Sequence, residues 1–397
     1  MFSFWIILVS LAIGYLIADY QGNGKIWQFL VQKLRRLQKK PLPLKQSGYY
    51  GVLTSLLNEQ SDEGLDSFVS SMEVNLETLD VHLALGSLLR RRGEYARAVR
   101  VHENLLTRPS LPAESMHQVQ LELAIDFWRS GLLDRAESIL SELIKIPGVK
   151  RPARWQASAY LLEIYQELGQ WLDAIDIADG LTERKFSREP DLWRRLQAQF
   201  SCELADQACR EKRYDLMFSK ARQALSYDSE CVRALLLLAQ YALSENDKAL
   251  ALTHLLCVVD QNPRYISEVV TMLDQCLDQT DSKYKGVLER LIDEHQAISA
   301  IIKLTELSLD DNNATRLADR WVNLLNKYDN ETLPEKPLLL FILENPEEKN
   351  VILRVKTVAE YLQIKAHYVC LSCKAEYSKL QWHCVSCGAW STIERTL

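Results

Sequence analysis

Residues 85–102, LGSLLRRRGEYARAVRVH, set Leu85-Gly86, Leu89, Gly93, Tyr95, Ala98 and His102 at offsets that return along the chain. They reappear as Leu123-Ala124, Phe127, Gly131, Leu133, Ala136 and Leu140, then as Leu161-Leu162, Tyr165, Gly169, Trp171, Ala174 and Ala178. Two further copies run through Leu204-Ala205, Ala208, Lys212, Tyr214, Met217 and Ala221, and through Leu238-Ala239, Ala242, Asn246, Lys248, Ala251 and Leu255. From Ala98 to Ala136, Ala174, Met217, Ala251 and Gly286 the steps are 38, 38, 43, 34 and 35 residues. Small residues at two positions let the two helices of a unit approach closely, larger apolar residues fill the space to the next unit, and Gly sits in the turn. Each unit buries its apolar face only by stacking on the next.

A period near 34 with small residues where helices cross resembles the tetratricopeptide repeat. Weaker copies at Tyr50 to Leu79 and Met272 to Glu294 extend the expected array to residues 47–294, with additional helices in 295–365, Ala297 to Tyr328 and Val351 to Lys365 among them, continuing or capping it. The composition agrees with an all-α fold: 14 Gly and 11 Pro in 397 residues are about half the usual share, where a parallel α/β enzyme would place more Gly in phosphate loops. First helices of such repeats line a concave groove. By register their outward positions include Arg90, Arg91, Trp128, Arg129, Glu163, Gln166 and Arg210. We take Arg90, Arg91, Trp128, Arg129 and Arg210 as candidate partner-binding residues, because Trp flanked by Arg is the composition of a binding hot spot. The competing reading has Trp128 filling a gap between units and the arginines forming a solvated face.

Phe2 to Ala18 is uncharged and 17 residues long, about 25 Å as a helix, which is at the short end of a bilayer span. Residues 1–20 are therefore expected to form a transmembrane anchor. Residues 21–45 hold seven Lys/Arg and no acid, so 21–46 reads as a basic juxtamembrane linker. The positive-inside rule places that flank and everything after it in the cytoplasm. Net charge is −6 overall and −12 beyond residue 45, an acidic body that argues against nucleic acid as a partner.

Cys370, Cys373, Cys384 and Cys387 make C-x2-C-x10-C-x2-C, two tight turns that present four thiolates to one metal. Residues 366–397 thus read as a small metal ribbon. Four thiolates leave no open coordination position, so the ion is expected to be structural, with zinc favoured over iron. Cys202, Cys209, Cys231, Cys257 and Cys276 have no ligand spacing and read as small buried apolar residues. Tyr368, Tyr377, Trp382 and Trp390 load the ribbon with aromatic surface that could dock it on the helices. The chain has no P-loop, no dinucleotide fingerprint, no G-x-S-x-G and no H-E-x-x-H, and its seven His do not cluster with carboxylates in sequence; we expect no enzyme.

An N-terminal apolar segment, a tetratricopeptide array and a terminal ribbon carrying Tyr368, Cys370, Cys373, Trp382, His383, Cys384, Cys387, Trp390, Ser391, Thr392 and Ile393 together resemble the lipopolysaccharide assembly protein B family of Gram-negative bacteria. The resemblance implies a rubredoxin-like ribbon packed on the repeats. It implies an adaptor of the inner membrane, single-pass with repeats and ribbon facing the cytoplasm. Such adaptors bring the deacetylase that commits carbon to lipid A to a membrane-anchored AAA+ protease, and an inner-membrane regulator of lipopolysaccharide supply holds them in check. Pro41 and Pro43 in the linker and a degenerate seventh repeat depart from the family pattern. The alternative reading is a structural scaffold for envelope assembly enzymes without a degradative role; a third is an electron carrier using iron in the ribbon.

Overall fold

The computed structural model describes residues 76–108, 111–182, 190–310, 312–329, 331, 333–345, 350–365 and 367–396. The chain divides into two compact units, Met1–Asn75 and Leu76–Leu397. The expected anchor, the basic linker and nearly all of the weak first repeat fall in the first unit and lie outside the described residues. No helix among the described residues is long and apolar enough to cross a membrane.

The second unit begins with five helix pairs: α1 (Leu76–Arg91) and α2 (Tyr95–Leu106), α3 (Ala113–Arg129) and α4 (Leu133–Lys145), α5 (Arg151–Leu168) and α6 (Trp171–Thr182), α7 (Pro190–Arg210) and α8 (Tyr214–Tyr227), α9 (Val232–Ser244) and α10 (Lys248–Gln261). Ala98, Ala136, Ala174, Met217 and Ala251, the positions counted from the sequence, are each fully buried, as are Ala124, Ala205 and Ala239 on the facing helices. Together they form a mostly helical, tetratricopeptide-like superhelix.

Each pair turns on the same device. The backbone N–H of Glu94, Leu132, Gln170, Arg213 and Asp247 donates to the carbonyl five residues earlier, at 3.0, 2.9, 2.9, 2.8 and 2.8 Å. That bond needs a left-handed residue just before it. Gly93, Gly131 and Gly169 supply it at φ 82°, 79° and 68°, and Lys212 and Asn246 occupy the same place at φ 59°. A Lys there lacks the freedom of Gly, so Lys212→Gly should raise stability by about 0.5–1 kcal/mol. The check is a denaturant titration: an unchanged or lower midpoint would show that the side chain compensates.

After a 3₁₀ turn (Pro263–Tyr265) the stacking continues through α11 (Ile266–Cys276), α12 (Ser282–His295), α13 (Ile298–Ser308) and α14 (Ala314–Lys327), and closes with α15 (Lys336–Glu344) and α16 (Val351–Lys365). The register slips here. A Cβ at Gly286 would meet nothing, and α12 buries Tyr284 and Leu288 instead, so Gly286 is not a helix-crossing position. One apolar cluster runs from Val232 to Leu362 through Trp321, whose indole donates to Thr305 Oγ1 at 3.0 Å. The last two helices thus share a core with the repeats.

The first pairs hold a buried polar network. Arg90 reaches across from α1 to Glu122 Oε2 and Asp126 Oδ1 on α3, both at 2.6 Å, and His102 Nδ1 lies 2.5 Å from Asp126 Oδ2. Gly86 leaves room for that imidazole, since a Cβ there would come within 2.3 Å of His102 Nε2.

The ribbon is a three-stranded antiparallel sheet, β1 (His367–Cys370), β2 (Glu376–Tyr377) and β3 (Ile393–Thr396), in the order β2-β1-β3.

Candidate metal centre

Both C-x2-C segments fold into the same turn. Lys374 N–H donates to Cys370 O and Gly388 N–H to Cys384 O, each at 2.8 Å, while Cys370 N–H and Cys384 N–H donate to Ala375 O and Ala389 O at 2.9 and 2.8 Å. The residue after each second cysteine is left-handed, Lys374 at φ 64° and Gly388 at φ 72°. The turns bring the four sulfurs within 4.8 Å of one another, with Cys370 to Cys387 at 3.8 Å and Cys373 to Cys384 at 3.6 Å. Tetrahedral thiolate ligation with bonds of about 2.3 Å spaces sulfurs about 3.8 Å apart, so the four residues fit one ion. Cys370 and Cys384 are buried and Cys373 and Cys387 face solvent.

The surroundings favour the thiolate at the two buried cysteines, Cys370 and Cys384. Thr392 Oγ1 lies 3.3 Å from Cys370 Sγ and, with burial opposing it and the Cys373 and Ser372 amides helping, holds that thiol down at about 6. Tyr377 presents its hydroxyl at 3.0 Å to Cys384 Sγ. The Ala389 amide draws Cys387 down, but desolvation and the other three sulfurs outweigh it and push that thiol up. Four sulfurs this close repel one another as anions, and a bound cation is what relieves the repulsion.

The ribbon lies against the helical array. Trp390 donates its indole N–H to Gln166 Oε1 at 2.8 Å, meets Trp171 and Phe200 edge-on at 6.0 and 5.8 Å, and stacks on His383 at 4.5 Å. Trp382 stacks on Tyr265 at 5.3 Å, with the Arg233 guanidinium 5.9 Å from its ring. Arg233 is itself buried and bonded to Glu203 at 2.8 Å and to Asp206. Tyr368 donates to Glu268 Oε1 at 2.8 Å, burial and then that bond raise its pKa, and Glu394 pairs with Arg264 at 2.7 Å. Trp390→Ala should therefore weaken docking by about 2 kcal/mol or more while leaving the sulfur cluster intact. Hydrogen exchange is the check: faster exchange at the docking face with full metal content is expected, and unaltered protection there would contradict it.

The candidate partner-binding residues part company. Arg90 is turned inward to Glu122 and Asp126. Trp128 is half-buried, donates to Glu167 Oε1 at 3.0 Å and packs on Tyr160 at 5.4 Å, and the Arg129 guanidinium lies 4.4 Å over its ring. Beside them, burial and then Glu167 push the Glu163 carboxyl up, with Arg129 opposing. Arg91 and Arg210 are exposed and form no ion pair among the described residues. Gln166, read as a groove position, holds the ribbon instead. The docking residues Phe200, Arg233, Tyr265 and Glu268 were not singled out by sequence reasoning; Trp171 was visible only as a repeat position.

The profile of a rubredoxin metal binding domain matches residues 368–395. Lipopolysaccharide assembly protein B of Escherichia coli (strain K12) is 27% identical over 398 residues, covering 98% of this chain and 97% of that protein. The protein of the same name from Haemophilus influenzae is 30% identical over 356 residues, covering 85% of this chain and 87% of that one. Among solved structures, the C-terminal part of a tetratricopeptide repeat-containing protein from Cytophaga hutchinsonii is 14% identical, with a TM-score of 0.36, covering 68% of this chain and 98% of that one. At 30% identity over most of both chains, the likeness is one of descent, and this chain belongs to the lipopolysaccharide assembly protein B family.

Proposed function

We propose that this chain regulates lipopolysaccharide synthesis as a single-pass inner-membrane adaptor, presenting the lipid A pathway deacetylase to a membrane-anchored AAA+ protease. In this reading it binds clients and transforms none, and an inner-membrane regulator of lipopolysaccharide supply controls it. The observation that carries the reading is the match over 98% of the chain to a relative named for lipopolysaccharide assembly. The uncharged stretch Phe2 to Ala18 with its basic flank supports the membrane placement, repeats and ribbon facing the cytoplasm. Zinc is the ion proposed for Cys370, Cys373, Cys384 and Cys387, where it would hold the ribbon folded. Metal analysis of the purified chain tests that choice against iron.

The test of the function is crosslinking in membranes followed by purification of the chain. Recovery of both the deacetylase and the protease is expected. Recovery of other envelope enzymes with neither of these would favour a scaffold and overturn the adaptor reading.

A further inference from the structure

The docked ribbon leaves part of the helical surface open. Beyond it, two adjoining cavities of about 180 and 230 Å³ share Ser267, Ser299, Ile302 and Arg395 and form one trough. Its floor is α11 and α13, one wall is α16 at Leu362 and Gln363, and the other is the end of β3 at Arg395 and Thr396. Among the described residues, the first cavity is lined by Arg264, His295 and Arg395 and by no carboxylate, over an apolar floor of Ile266, Ile298 and Ile302. Arg264 is paired with Glu394, and His295 Nε2 lies 3.9 Å from Glu294. Arg395 is half-buried and forms no ion pair among the described residues. In the second cavity Lys303 is held between Asp274 and Glu306, at 2.8 and 3.6 Å. Among the described residues, Arg395 is thus the lining cation of the trough that forms no ion pair, although Asp274 and Glu306 share its second half.

The strand that carries it is an edge. In the order β2-β1-β3 only one side of β3 is paired, by β1 in the register His367↔Thr396 to Cys370↔Ile393. The Pro263–Tyr265 turn covers the Glu394 end through Arg264, while Arg395 and Thr396 border the trough. An unpaired strand edge beside a channel is the arrangement that takes an extended peptide as an added strand.

We propose that this trough binds an extended peptide segment bearing a carboxylate side chain, laid along the end of β3 with the carboxylate on Arg395 and an apolar neighbour on Ile302 and Leu362. The proposal rests on the client-binding reading and gives the client's segment its chemistry: acidic, extended and flanked by apolar residues. A guanidinium and a carboxylate in a partly desolvated channel make a strong charge-assisted pair, so loss of either should be read directly in binding.

The full chain, purified in detergent and immobilised, is offered capped octapeptide libraries with Asp, Asn or Lys fixed at the centre. The Asp library should be retained about tenfold or more over the Asn library. Arg395→Gln should abolish that preference with metal content unchanged, Arg395→Lys should keep part of it, and Ser299→Leu, which fills the trough where its halves meet, should abolish retention altogether. Equal retention of Asp and Asn libraries would overturn the proposal, as would a preference that survives Arg395→Gln. Displacement of the bound peptides by millimolar inorganic phosphate or by vesicles of anionic lipid would also overturn it, in favour of a general anion site. Acid-selective binding that depends on Arg395, in a chain that recovers no deacetylase from membranes, would leave the trough standing and sink only the deacetylase reading.

Discussion

Cys384→Ser should strip the ribbon of its metal and unfold it while the helices stay folded. Cys384 is fully buried, its Sγ is 3.6 Å from that of Cys373 and it takes the Tyr377 hydroxyl at 3.0 Å. The ribbon's own buried core is Cys370, Cys384 and Ile393, with Tyr368, Tyr377 and Leu380 packed around them. So small a core cannot offset the entropy of ordering about thirty residues. Four-thiolate zinc sites in small modules contribute about 10–16 kcal/mol, and that binding energy is the folding energy. Loss of one buried thiolate should take metal content from stoichiometric to near zero and expose ribbon amides to rapid exchange. A variant with full metal and unchanged exchange would show that the ribbon is held by its docking on the helices alone.

Asp126→Ala should be the most damaging single change in the first two repeats. Asp126 is fully buried between Arg90, whose Nη1 is 2.6 Å away, and His102, whose Nδ1 is 2.5 Å away. Without it Arg90 keeps Glu122 but loses one of its two carboxylates, and the fully buried His102 loses its partner. Each buried donor left without its acceptor costs about 1–3 kcal/mol, and Asp126 serves two of them. In a stacked array the loss should fall first on its own end, so α1 and α2 should exchange before the later repeats. Thermal melting with residue-resolved exchange reads both effects; a melting temperature within a degree or so of the parent would mean that the network is not under tension.

The helix pairs were legible because their signal is local. Ala98, Ala136, Ala174 and Ala251 recur at repeat spacing and all are fully buried. The turn is legible too, although Lys212 and Asn246 stand where Gly stands in earlier units. The count failed at Gly286 because a small residue at the right spacing can face solvent as well as a neighbouring helix, and only packing distinguishes the two. Arg90 was read as a groove residue because its partner Asp126 lies 36 positions on, in another helix. The four cysteines were the plainest part of the site, since two short turns set their geometry. Where the ribbon would sit was hidden: Trp390 and Gln166 are 224 residues apart, and no periodicity connects them.

The adaptor reading is tested most directly by the half-life of the lipid A pathway deacetylase in living cells from which this chain has been depleted. The account predicts a markedly longer half-life on depletion, restored by the full chain at native abundance. It predicts no restoration by a chain lacking residues 1–20, because the shared membrane plane supplies the effective concentration between client and protease. A deacetylase half-life that does not change when the chain is depleted would contradict it.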